Sequence, residues 1–149
     1  LSHFLVPSHS GYDAHCGFRG SSYVSRLADQ KTNSPYDCGH VTMAYNALCI
    51  LLTMGDDLSS VDRRGVLNGI TSLQCKDEPG LFQASLISPE RDMRFVYSAV
   101  ASCFILDGLD VLDKDAIISF IDRSYVSFAY FVLPLSVCYR LYLFVYQTQ

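Results

Sequence analysis

The sequence predicts an all-α protein assembled from repeated helical hairpins, and three observations carry that expectation. Apolar residues recur at helical spacing in four stretches between His40 and Ser124. Turn residues interrupt the pattern at Gly55 and Gly108, 53 residues apart, and the stretches that follow open at Asp62 and Asp113, 51 residues apart. A period near 50 marks stacked helical pairs. A single pair would leave an apolar face bare, so several must pack side by side, as in helical arrays or closed helical rings. Two pairs are too few to close a ring.

The first stretch places Val41, Ala44, Leu48, Leu51 and Leu52 on one stripe and stops at Met54-Gly55, where glycine supplies a left-handed cap. The second follows Ser59-Ser60-Val61-Asp62, which offers a capping oxygen, and Val61, Leu67, Ile70 and Leu73 carry it to about Gln74. Lys76-Asp77-Glu78-Pro79-Gly80 is a turn, and 81–89 reads as a connecting loop. Asp92, Phe95, Val96, Ala99, Val100, Cys103 and Leu106 form the third stripe, ended by Asp107-Gly108. Asp113 then precedes Ala116, Ile117, Phe120 and Ile121, a fourth helix closing near Ser124.

Outside these helices the reading is simpler. Residues 7–39 are rich in Gly, Ser, Pro, Asp and Asn with no sustained period, which predicts a long ordered loop. Leu1-Ser2-His3-Phe4-Leu5-Val6-Pro7 reads as the end of an apolar helix stopped by proline, with a segment expected ahead of it. Residues 125–149 stay apolar to the end. Residues 124–139 carry no charge, but sixteen residues interrupted by Pro134 are short for a membrane span, and a stable span is not expected.

Composition narrows the function classes. With 149 residues, half hydrophobic and 17% charged, the chain can fill one core. A net charge of -4 with scattered Lys and Arg argues against nucleic acid as a partner. The six cysteines show no C-x-x-C spacing and no secretory signal precedes them, so reduced thiols in a cytoplasmic protein are expected. Cys49, Cys75 and Cys103 lie in or beside apolar helical patterns, where a free thiol acts as a small core residue. His15-Cys16 and Cys38-Gly39-His40 lack the spacing of a zinc site.

A set of strings adds a resemblance. Cys16-Gly17-Phe18-Arg19-Gly20-Ser21-Ser22-Tyr23, Pro35-Tyr36-Asp37-Cys38-Gly39-His40, Tyr45, Gly55-Asp56-Asp57-Leu58-Ser59, Leu73-Gln74 and Asp92-Met93-Arg94-Phe95-Val96-Tyr97 occur in this order. Over roughly residues 16–124 the chain resembles the protein prenyltransferase β subunits, and the first and last strings look most like the type I geranylgeranyltransferase branch. The resemblance implies a partial α/α toroid over residues 1–124, with inner helices lining an apolar funnel for geranylgeranyl diphosphate. It implies a heterodimer with the prenyltransferase α subunit and Cys-a-a-X proteins as the other substrate. A farnesyltransferase-type β subunit and a non-catalytic fragment that binds the α subunit are the alternatives.

The same resemblance implies roles for five residues. His40, Glu90 and Arg94 match a polar cluster that reaches the peptide terminus through water, a task suited to the directional donors of a guanidinium. Read on its own spacing, Arg94 is equally a surface partner for Glu90 one turn earlier. Tyr45 and Tyr97 match aromatic positions lining the isoprenoid pocket, where the plain alternative is core packing. His40 is otherwise a capping or core-edge histidine at the start of the first helix. No catalytic residue is assigned.

Departures from the family pattern matter as well. The family's zinc ligands, an Asp, a Cys and a His, lie beyond the matched region, so zinc is expected only in a complete subunit and this chain alone is expected to be inactive. Asp77-Glu78-Pro79-Gly80-Leu81-Phe82 stands where relatives have Asp-Gly-Ser-Phe. After Arg123-Ser124-Tyr125 the family continues with an acidic, Gly-rich turn, whereas here Val126-Ser127 opens the apolar run. Val-Ser is what an in-frame 5′ splice donor encodes, so residues 125–149 read as a divergent tail of intron origin. Alignment of transcript to genomic DNA checks this, and an ordinary exon over 126–149 would exclude it.

Overall fold

The computed structural model describes residues 5–7, 16–18 and 39–128, with side chains placed at 17–18 and 39–124. Most of the divergent apolar tail, where no stable span is expected, and most of the 7–39 loop lie outside the described residues. Among the described residues four α-helices dominate: α1 Val41–Thr53, α2 Arg63–Ser72, α3 Met93–Ile105 and α4 Lys114–Phe128. A short 3-10 turn, Leu109–Val111, joins α3 to α4. All four fall where the apolar periodicity puts them, and α4 runs on past Ser124 to Phe128. The fold is an incomplete all-α toroid.

Each helix begins at a side chain that takes up an otherwise unpaired backbone donor. The Asp62 carboxylate accepts from the Gly65 N–H at 3.0 Å, Asp92 from Arg94 at 2.7 Å, and Asp113 from Ala116 at 3.0 Å. At α1 the cap is a histidine, whose Nδ1 accepts from the Thr42 N–H at 3.1 Å. The inward stripes then meet in one core: Val41, Ala44 and Leu48 from α1, Val66, Leu67 and Ile70 from α2, Val96, Ala99, Val100 and Cys103 from α3, and Ile117 and Ile121 from α4. Cys75 and Cys103 are buried as expected, and burial pushes the Cys103 thiol up to about 12. Cys49 differs: it is only half buried, beside the Tyr45 hydroxyl, and is not a core residue.

Two short β-hairpins are added to the helices. β1, Leu5–Pro7, pairs antiparallel with β2, Cys16–Phe18, with Leu5 opposite Phe18 and Pro7 opposite Cys16. This corrects the reading of Leu1–Pro7 as a helix end. Proline has a fixed φ and no N–H, which suits the end of an edge strand as well as it suits a helix stop. β3, Gln83–Ser85, pairs with β4, Ser88–Arg91, so that the 81–89 stretch read as a connecting loop is a hairpin whose second strand runs on to Arg91. The turn ahead of it is closed by the Cys75 N–H to the Leu81 carbonyl at 2.9 Å and the Gln83 N–H to the Leu73 carbonyl at 3.0 Å. Phe82 is thereby sealed in the core.

The hairpin period is physical, but its two turns are built differently. Gly55 has φ +82, the left-handed cap the sequence implies. After α3 the left-handed residue is Asp107, with φ 51, and Gly108 is at φ -133. Gly108 is needed for space: a Cβ there would lie 2.5 Å from Leu67 Cδ1 and 2.6 Å from Cδ2. The Arg63 guanidinium bonds the Asp107 carbonyl and reaches its carboxylate at 3.3 Å, tying α2 to this turn; being exposed, the ion pair contributes little stability.

Gly108→Ala is therefore expected to lower the unfolding free energy by about 1–3 kcal/mol through overpacking, and Leu67→Val should recover part of that loss. Gly55→Ala, with nothing within 4 Å of the new Cβ, should lose about 1–2 kcal/mol from backbone strain alone, with no dependence on Leu67. Chemical denaturation of the single and double variants checks both, and a Leu67-independent loss at Gly108 would contradict the packing account.

Candidate functional site

The candidate site is set by how α1 lies against α3. The fifth residue of each helix is a tyrosine, Tyr45 and Tyr97, and the two rings meet edge to face with centroids 5.5 Å apart. Their hydroxyls are 3.4 Å apart. This contact, seconded by the Cys49 thiol, pushes the Tyr45 hydroxyl well above its ordinary pKa. Toward the start of α1, Thr42 Oγ1 lies 3.5 Å from Ser98 Oγ, and the His40 ring meets Phe95 edge to face at 5.6 Å. The N-terminal halves of α1 and α3 thus run side by side, with Tyr45 level with Tyr97 and the start of α1 against Phe95 and Ser98.

His40 is positioned by glycine. Its N–H donates to the Phe18 carbonyl of β2 at 3.1 Å, which draws the backbones at Gly17 and Gly39 together. A Cβ on Gly39 would lie 2.9 Å from the Gly17 Cα, and a Cβ on Gly17 would lie 3.0 Å from the Gly39 Cα. Only two glycines permit that approach. The Cys16-Gly17-Phe18 and Cys38-Gly39-His40 strings therefore form one structural unit that presents a histidine at the start of α1. Burial holds the His40 imidazole below its ordinary pKa, opposed in part by the Glu90 carboxylate.

Glu90, at the end of β4, and Arg94, in the first turn of α3, occupy the same end of the helix pair. Arg94 Nη2 reaches Glu90 at 3.5 Å, but its closer bond is from Nε to Asp92 at 2.8 Å. Asp92 is thus both the cap of α3 and the main anion for Arg94. Partial burial raises the Asp92 carboxyl, yet the Arg94 side chain and backbone N–H together hold it below the ordinary carboxylate range. The guanidinium also lies over the Phe95 ring, 5.7 Å from its centroid. With two carboxylates beside it, Arg94 can address an incoming carboxylate only by giving up part of this bonding or through bridging water.

All five residues singled out from the sequence lie along this α1–α3 seam. Sequence reading missed Phe95 as the ring against His40, Asp92 as the closer partner of Arg94, and the Gly17–Gly39 contact. For the last a signal existed, since both glycines stand in strings flanked by Cys and an aromatic ring. Among the described residues, no three His, Cys, Asp or Glu side chains come together to hold a metal ion. A zinc ion therefore finds no fitting donor set in this part of the chain. No helix among the described residues is long and apolar enough to cross a membrane.

Residues 3–127 match the family model of the prenyltransferase alpha-alpha toroid domain. The chain belongs to the prenyltransferase alpha-alpha toroid family. It is 36% identical over 100 residues to an Arabidopsis thaliana protein named geranylgeranyl transferase type-1 subunit beta, a match covering 67% of this chain and 26% of that protein. A Dictyostelium discoideum protein of the same name is 29% identical over 123 residues, covering 77% of this chain and 34% of the relative. The chain thus spans about a quarter to a third of the length of these curated relatives. Among the described residues it has two neighbouring helical hairpins.

The capping role of His40 makes the fold pH-dependent in a definite sense. Its folded pKa is depressed below 6.5, so the stability it contributes is present above about pH 6.5 and is lost as pH falls through the folded value. The unfolding free energy should decline as pH falls below about 6.5, and His40→Asn, which keeps a capping oxygen, should flatten that decline. Denaturant titrations across this range check it, and an unchanged slope in the variant would contradict it.

Proposed function

We propose that this chain is part of the β subunit of a type I protein geranylgeranyltransferase, supplying two adjacent inner helices of its toroid. The edge-to-face Tyr45–Tyr97 pair across the α1–α3 seam carries the reading, supported by the names of both curated relatives. In this reading the two tyrosines form a section of the wall against which a twenty-carbon isoprenoid lies, since aromatic faces bury apolar chains well. His40, Glu90 and Arg94, at the helix starts, face the end of a Cys-a-a-X peptide. There Arg94 orients the terminal carboxylate, directly or through water, while Asp92 keeps the guanidinium aimed.

The reaction forms a bond from the peptide cysteine sulfur to C1 of the isoprenoid, breaks the C1–oxygen bond, and releases diphosphate. The described residues contribute binding and orientation to that step. Zinc, the α subunit as heterodimer partner and a cytoplasmic setting belong to the same proposal for the complete subunit. The 149-residue chain by itself is inactive in this reading.

The test uses the complete subunit carrying these residues, co-expressed with an α subunit and assayed with zinc. Transfer of geranylgeranyl in preference to farnesyl is expected. Tyr97→Ala should raise KM for the isoprenoid diphosphate by about tenfold, the effect of roughly 1.4 kcal/mol of lost binding. Arg94→Ala should raise KM for the peptide instead. A farnesyl preference would move the assignment to the farnesyltransferase branch. A stable complex with α that transfers nothing would replace the enzyme reading with an α-binding role.

A further inference from the structure

Arg94 is held along one edge by a single group. It stands two residues past the cap Asp92, and the same carboxylate oxygen, Oδ1, accepts from its backbone N–H at 2.7 Å and from its Nε at 2.8 Å. The side chain therefore folds back over its own N–H. The second oxygen, Oδ2, lies 3.4 Å from Nη2, so one carboxylate spans the Nε–Nη2 edge of the guanidinium. A free arginine turns about several bonds; here one edge is fixed by a group that the first turn of α3 already requires as its cap.

A face of the guanidinium is fixed as well. Its central carbon, Cζ, lies over the Phe95 ring, 5.7 Å from the centroid, where the negative face of the ring attracts a cation. Phe95 is buried, and its ring and that of His40 meet edge to face at 5.6 Å. A ring packed this way has few orientations, so the surface under Arg94 is rigid. With Asp92 on an edge and Phe95 on a face, Arg94 meets a ligand along the end of its plane, at Nη1 and Nη2, the end that Glu90 reaches at 3.5 Å.

We infer that Asp92 and Phe95 are positioning residues that hold the Arg94 guanidinium in one orientation, so that the site tells a peptide's terminal carboxylate from a terminal amide. The inference rests on the reading of Arg94 as the group that addresses that terminus. A carboxylate accepts two parallel bonds from a correctly aimed fork, whereas an amide offers one oxygen and two N–H donors that the cationic fork repels. Removing the Asp92 charge acts in two opposite directions: it frees the Arg94 side chain, and it takes a competing anion away from the ligand. The first effect is the larger, because Asp92 bonds Arg94 directly while its repulsion of the ligand acts over a longer distance through water.

The test uses the complete subunit with its α subunit and two peptides that differ only in a carboxylate or an amide at the terminus. The intact enzyme should prefer the carboxylate, and Arg94→Ala should erase that preference. Equal use of both peptides by the intact enzyme, or a preference that survives Arg94→Ala, removes the reading of Arg94 and this inference with it. Asp92→Asn keeps a capping oxygen and loses the charged edge, and Phe95→Leu keeps an apolar core residue and loses the ring. Each should reduce the preference by about threefold to tenfold through the peptide KM, the effect of freeing one ordered side chain, with the KM for the isoprenoid diphosphate unchanged. Neither should reduce it further in the Arg94→Ala background. A merely structural role would depress transfer to both peptides alike. A carboxylate-to-amide ratio that is lost with Arg94 but unchanged in Asp92→Asn or in Phe95→Leu therefore overturns the inference alone and leaves Arg94 its role.

Discussion

Everything that gives this chain a candidate site follows from α1 and α3 lying side by side with Tyr45 level with Tyr97. The contact is lateral and small in each part: an aromatic pair, two hydroxyls and a histidine edge against a phenylalanine. Its consequence is large because register is shared. Once Tyr45 and Tyr97 are level, the caps His40 and Asp92 sit at one end, and Arg94 and Glu90 come with them. A slip of one turn would separate the tyrosines and move the cap of α1 away from Phe95.

That register is held from outside the helices as well. β2 approaches so closely that Gly17 and Gly39 lie backbone to backbone, and the Phe18 carbonyl fixes the His40 N–H. Phe18 itself is buried in the core. The β3–β4 hairpin performs the matching task for α3, delivering Glu90 and Arg91 just ahead of its cap, where Arg91 is anchored to Asp77 at 2.7 Å. The strands are short, yet they decide where each helix starts, and the helix starts are where the polar site residues are.

Helices were legible in the sequence because their apolar residues recur with the helical period and their starts carry Asp or His beside good turn residues. The hairpins were not. β3 and β4 are three and four residues long, mostly polar, and joined through Leu86 and Ile87, which are exposed at the turn, so no alternating pattern betrays them. Proline at position 7 was ambiguous for a physical reason, since the same ring that ends a helix also ends an edge strand. Arg94 shows the opposite limit. Helical spacing identified Glu90 as a neighbour, but the stronger bond to Asp92 depends on a side chain folding back across the cap, which spacing alone does not reveal.

The central claim is the level packing of α1 on α3, and a double-mutant cycle tests it most directly. Tyr45→Leu, Tyr97→Leu and the double variant would be compared by urea denaturation. The account predicts a coupling of about 0.5–1.5 kcal/mol between the two sites, the range of an aromatic pair in contact. Additive losses, with coupling below about 0.3 kcal/mol, would show that the rings do not meet and would remove the basis for the shared register.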